Sequence, residues 1–196
     1  MKRFLAISTS SPKVSVAVLQ AAGGGEAAAL AAEEAFVDRN AEEATFLLLH
    51  TALLRAEARL EDLAGILCDV GPGSFTGVRV GVTIAKTLAW VRDLPVAGIR
   101  SFALIGDPPV AVPSRKGRYL VQHPSGEVEE VDEGRVRSLA QVGYGPAFAD
   151  PTYPNPSRAA LLWAGLQWVK PEALVPEYVL EPGISQPKVP YPRGQE

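Results

Sequence analysis

Cysteine is all but missing from this chain, which has one, Cys68, in 196 residues. A disulfide framework is therefore excluded, and a lone thiol inside the apolar run GILCDV at 65–70 reads as a small core residue rather than a nucleophile. Histidine is nearly as scarce. His50 has no second histidine or cysteine at ligand spacing, which argues against a metal site there. An excess of one charge is also lacking: 19 Lys and Arg against 22 Asp and Glu give a scattered net charge of −3, with no basic stripe for binding nucleic acid unaided. Any contact with RNA would need a partner. The opening MKRFLAIS turns polar too soon for a signal peptide, and no later run is long and apolar enough to cross a membrane, so the expected location is the reducing cytoplasm. Proline is scarce in one half only, with three in residues 1–100 and fourteen in 101–196. That shift places a boundary near Arg100. Residues 1–100 are expected to form a regular α/β unit, 101–181 a smaller second unit of short strands, and 182–196 a loose Pro/Gly-rich tail.

The hydrophobic fraction, 47%, is ample for a core, and the stretch that organises it is GPGSFTGVRVGVTIAKTLAW at 71–90. A strand-length apolar run precedes it, so the glycine turn joins a strand to a helix. Gly71 and Gly73 permit backbone angles that other residues resist, and Ser74 or Thr76 can cap the helix. With Gly77 these residues form either an anion site or a tight, capped corner. Within the helix Gly77, Gly81, Ala85 and Ala89 recur every fourth position as a stripe of small residues, while Val80, Ile84 and Leu88 make a second, ordinary core stripe. Interior helical glycines each cost up to roughly 1 kcal/mol, so the stripe implies close packing against another backbone.

Two further strands, at 4–7 and 14–19, are joined by the hairpin STSSPK, and an alanine-rich run at 28–37 is read as a third strand completing a meander. Residues 40–60, NAEEATFLLLHTALLRAEARL, read as a helix capped by Asn40 with Glu42 and Glu43 in its first turn. Its apolar residues fill two sides: Phe46, Leu49, Leu53 and Leu60 on one, Leu47, Leu54 and Ala58 on the other. Such a helix is either deeply buried or, as preferred here, lies beside the glycine-striped helix and shares with it a patch for another chain. Residues 95–99 form a strand, and strand-helix-strand order implies parallel pairing. Short strands are expected at 110–112, 119–122 and 127–131, and a helix over SRAALLWAGLQWVK capped by Ser157.

Specific catalytic motifs fail on inspection. Gly77 is followed by Val78 and Arg79 instead of the Lys-Ser/Thr of a phosphate-binding P-loop, and Thr76 stands where a dinucleotide fingerprint needs its third glycine. Ser74 is not in a G-x-S-x-G setting, and neither histidine is recognisably its partner. The first hairpin carries Ser8 where nucleotide-binding folds of this opening type place a metal-holding acid, and hydroxyls hold a divalent cation poorly.

The run at 71–90, the opening FLAISTSSPKVSVAVL, the strand PVAGI and a late PEYV near residue 176 resemble the bacterial TsaB (YeaZ) family. The likeness is specific over residues 1–100 and loose afterwards. It implies an α/β protein of the actin/sugar-kinase/Hsp70 ATPase (ribonuclease H-like) fold with a reduced second subdomain. It further implies a non-catalytic partner of the TsaD subunit, working with a TsaE-like ATPase to place a threonylcarbamoyl group on adenosine 37 of tRNAs reading codons that start with A. The resemblance puts the TsaD contact, or a competing homodimer contact, on Phe46, Leu49, Leu53, Gly77, Gly81 and Ala85. It implies no tightly bound cofactor, at most weak ATP or ADP binding at the complex boundary, and tRNA contact only through the complex. Departures include Ser8 in place of the family's usual Asp and Ala41 in place of a frequent His. The competing reading is a nucleotide-dependent phosphotransferase of the same fold that uses the turn at 71–77 and the hairpin at 8–11.

Overall fold

In the computed structural model, which describes residues 1–22 and 25–179, the β-branched and apolar runs become strands of two sheets. β1 (Lys2–Ser8), β2 (Lys13–Ala21) and the alanine-rich β3 (Ala27–Phe36) form the expected antiparallel meander. β4 (Leu63–Asp69) pairs parallel to β1, and β5 (Val96–Ile99) parallel to β4, giving the order β3-β2-β1-β4-β5. α1 (Ala41–Arg55) and α2 (Phe75–Arg92) are the crossovers, and both pack on one face of this sheet. Leu49 and Leu53 of α1 meet Val78 and Val82 of α2 over Leu5, Ile7, Val16 and Val18 in one cluster.

α1 is shorter than the sequence suggested. It stops at Arg55 because Glu57 takes a left-handed conformation (φ 48°), and the Ala58 N–H turns back to the Leu53 carbonyl, a Schellman-type ending with glutamate in glycine's usual place. Burial of Ala58 drives this against local helix propensity. Asn40 stands at the helix start with φ 62°, and its side chain makes no capping bond.

The other sheet face, carrying Phe4, Ala6, Leu19, Leu67 and Ala97, is covered by α3 (Ser101–Ile105) and by residues 156–168. That last segment is not the helix read from its sequence. Short 3-10 turns, Pro156–Ala160 and Trp163–Gly165, replace it. Trp163 sits edge-on to Phe4 at 4.6 Å, and Val169 exchanges both backbone hydrogen bonds with Val96, an extended pairing that a continuous helix could not make. The side chain that caps its start is Asn155, which accepts from the Ser157 N–H, rather than Ser157.

The second sheet has the order β8-β7-β6-β9, built from β6 (Val110–Pro113), β7 (Arg118–Gln122), β8 (Val128–Asp132) and β9 (Val142–Gly143). α4 (Glu133–Leu139), capped by the Asp132 carboxylate, packs Val136 against Tyr119, Val121 and Val131. Neither α4 nor β9 was evident from the sequence. α3 is shared, since Leu104 packs on the first sheet while Phe102 and Ile105 join Val112, Leu120 and Tyr144 beneath the second. Residues 101–179 therefore do not form one separate layer, because those from 156 onward return to the first sheet. The expected loose tail, 182–196, lies outside the described residues.

Candidate functional site

The turn between β4 and α2 is seated on the β1–β2 hairpin. Gly71 has φ 99°, Ser74 donates its N–H to the Ser10 carbonyl at 2.7 Å, and the Ser74 hydroxyl caps α2 by accepting from the Gly77 N–H at 3.2 Å. The small-residue stripe faces the same hairpin. A Cβ at Gly73 would strike the Ser10 carbonyl, one at Gly77 the Thr9 carbonyl, and one at Gly81 the Thr9 hydroxyl, which donates to the Gly77 carbonyl at 2.7 Å. Close approach is thus required, as the stripe implied, but the approaching backbone is the chain's own.

This corrects the expected partner face. Leu49, Leu53, Gly77, Gly81 and Ala85 are all buried within the chain, and of the six only Phe46 is exposed. The exposed stripe of α1 is instead Phe46, Leu47, His50 and Leu54, with Leu47 66% accessible. Alongside it α2 exposes Phe75, Thr76, Arg79, Thr83 and Trp90. Arg79 lies over the Phe75 ring at 5.0 Å, and Tyr178 packs against that ring at 5.5 Å. A groove of about 340 Å³ lies along this side, lined by Glu42 of α1 and by Phe75, Arg79 and Thr83 of α2. A run of large apolar side chains open to water along two neighbouring helices is a surface suited to a protein partner.

Beneath the turn lies a cluster that sequence reading missed. Asp69 ends β4 and is 1% exposed. Its Oδ2 accepts from the Ser8 hydroxyl at 2.7 Å and the Ser10 hydroxyl at 2.5 Å, and its Oδ1 from the Ser101 hydroxyl at 2.5 Å and the Gly71 N–H at 2.9 Å. The signal available was an acidic residue closing an apolar strand just before the glycine turn, with serines at the end of β1 and the start of α3. Burial pushes the Asp69 carboxyl above its ordinary range, the three hydroxyls and the Gly71 N–H pulling the other way. Burial first, then the Asp69 charge, pushes the Cys68 thiol well above its ordinary value, in keeping with a core residue. Tyr144, the residue after β9, donates to the Ser10 carbonyl at 3.4 Å, and burial raises its phenol strongly. Among the described residues no three His, Cys, Asp or Glu side chains are grouped to hold a metal ion, and no helix is long and apolar enough to cross a membrane.

Asp69 makes stability depend on pH. Its native pKa exceeds the unfolded value of about 3.9, so folding takes up a proton between the two; this contribution is complete below the unfolded value and is lost as pH rises through the native one. The margin of the wild type over Asp69→Asn is therefore expected to be largest near pH 4 and to shrink to a plateau on raising the pH, with a slope no steeper than about 1.4 kcal/mol per pH unit. Urea unfolding of both proteins across that range measures it, and a margin that grows with pH contradicts it.

Comparison with known proteins agrees with this architecture. Residues 35–109, which contain both α1 and α2, match the family described as TsaD, tRNA N6-adenosine threonylcarbamoyltransferase. The chain is 36% identical over 97 residues to the tRNA threonylcarbamoyladenosine biosynthesis protein TsaB of Bacillus subtilis, a match covering 50% of this chain and 40% of that one. It is 37% identical over 65 residues to the tRNA N6-adenosine threonylcarbamoyltransferase of Listeria welshimeri, covering 33% of this chain and 19% of that one. The chain thus spans less than half the length of these curated relatives. An uncharacterised protein of Mycobacterium leprae is 31% identical over 93% of this chain and 56% of its own. Among solved structures, YeaZ from Pseudomonas aeruginosa superposes with a TM-score of 0.68 at 21% identity, covering 91% of this chain and all of that one. A second crystal structure, described as similar to peptidase YeaZ from the same organism, reaches 0.72 at 19% identity over 92% of this chain. These structural likenesses give the fold, which is that of the actin/sugar-kinase/Hsp70 ATPases, and the sequence matches make the chain similar to TsaB (YeaZ) and TsaD proteins over its first half.

Proposed function

We propose that this chain is a non-catalytic cytoplasmic partner of a TsaD-like subunit in the complex that forms N6-threonylcarbamoyladenosine at position 37 of tRNAs reading codons that start with A. The observation that carries the reading is the outward face of α1 and α2, where Phe46, Leu47, Leu54, Phe75 and Trp90 stand open to water although the helices beneath them are fully packed. The match to the TsaD family falls on the same two helices, so a partner of related fold can meet this pair with its own equivalent pair. A second copy of the chain is the competing occupant when the TsaD-like subunit is absent. A TsaE-like ATPase as third member, and tRNA contact only through the complex, follow from the resemblance. ATP or ADP binding, weak in this reading, is assigned to the boundary with the partner, because the donors of the first hairpin already serve Asp69.

Reconstituted tRNA modification tests this. With threonylcarbamoyl-adenylate, unmodified tRNA and the other subunits supplied, modified adenosine is expected to accumulate when the chain is added and to fall at least tenfold with Leu47→Asp, the loss of about 1.4 kcal/mol or more of binding. Modification at the same rate without the chain would overturn the reading.

A further inference from the structure

We propose that the Ser8 and Ser10 hydroxyls, the Ser101 hydroxyl and the Gly71 N–H form an anion-binding nest whose resident anion is the chain's own Asp69 carboxylate, which excludes an external phosphate. Four donors from three separate stretches of chain converge on two oxygens at 2.5–2.9 Å, two to each. That is the acceptor capacity a carboxylate offers in one plane, and it is filled. None of the ion pairs among the described residues includes Asp69, so its charge is balanced by oriented dipoles alone, as bound anions are in backbone and hydroxyl nests.

The nest is also closed. Ser8, Ser10 and Ser101 have no accessible surface. The turn is pressed onto the hairpin so tightly that no Cβ fits at Gly73 or Gly77, and the buried Tyr144, just after β9, donates its hydroxyl to the Ser10 carbonyl. A hairpin and a glycine turn that could together hold a phosphate are thereby occupied from within by a residue two positions before that turn. The competing phosphotransferase reading loses its phosphate donors to Asp69. The inference concerns the chain alone and stands apart from the partner assignment.

Two variants test it. Asp69→Ala leaves four donors around a space the size of the lost carboxylate, so its melting temperature is expected to rise by several degrees, saturably, in sodium formate relative to sodium chloride at equal ionic strength. The wild type is expected to show no such rise with formate or inorganic phosphate. The exchange Ser8→Asp with Asp69→Ser moves the carboxylate across the 2.7 Å contact between the two side chains. It is expected to recover most of the melting temperature lost in Asp69→Ser alone, and this comparison decides the case if Asp69→Ala does not fold. A saturable response of the wild type to phosphate that Ser10→Ala removes would overturn the proposal. So would an exchange variant no more stable than Asp69→Ser combined with no formate effect on Asp69→Ala.

Discussion

Gly81→Glu is expected to unfold the chain, not to spare the fold and block a partner. Gly81 is buried where α2 crosses the first hairpin, and a side chain there meets the Thr9 hydroxyl and then the Cys68 sulfur. Overpacking alone costs about 1–3 kcal/mol, and an unpaired carboxylate taken into that contact adds several more. The total approaches the whole stability of a domain of this size, roughly 5–15 kcal/mol. Gly77→Ala is the milder test. Its Cβ meets backbone, the Thr9 carbonyl, which cannot swing aside, so a loss of about 2–3 kcal/mol is expected despite alanine's better helix propensity. Circular dichroism and urea unfolding read both variants. A folded Gly81→Glu chain with wild-type stability would place the stripe on the outside after all.

The second large effect is expected at Asp69. Replacing it with alanine strands three buried hydroxyls and the Gly71 N–H, each worth roughly 1–3 kcal/mol when unsatisfied, and partial rearrangement among the serines brings the expected loss to about 3–5 kcal/mol. The loss should also loosen the joint between the sheets, because Ser10 takes hydrogen bonds from Ser74 and Tyr144 through its carbonyl while its hydroxyl serves Asp69. Asp69→Asn keeps the volume and an acceptor, and is expected to lose less. Equal losses in the two variants, measured by urea unfolding at neutral pH, would mean that neither the retained volume nor the single amide oxygen makes up for the lost carboxylate.

The same hub shows where sequence reading ran out. The strands of the first sheet were legible because apolar, β-branched runs have few other uses, and α2 because a glycine turn with a serine cap opened it. The stripe of small residues was legible as a demand for close contact, but its spacing does not say what comes close; the answer was Thr9, 68 positions earlier in the chain. Likewise the two apolar sides of α1 were visible, and only packing could decide that Leu49 and Leu53 turn inward while Leu47 and Leu54 stay outside. Local propensity misled at 56–60 and 157–170. In the first, Ala58 is drawn into the core; in the second, Trp163 and Trp168 are held by Phe4 and Val169 by the edge of β5. Asp69 was passed over because an acid was sought at the end of β1, where Ser8 stands. The carboxylate reaches that place from the neighbouring strand.

In the proposed function the chain presents the outer face of α1 and α2 to a partner while its glycine stripe serves its own core. Sedimentation velocity of the chain mixed with the TsaD-like subunit of the same cell, for the wild type and for Leu47→Asp, tests it most directly. The predicted result is a heterodimer for the wild type, a loss of affinity of at least tenfold for Leu47→Asp, and an unchanged melting temperature for that variant, since the side chain is exposed. A Leu47→Asp chain that still forms the complex with wild-type affinity, or a wild type that forms none, would contradict it.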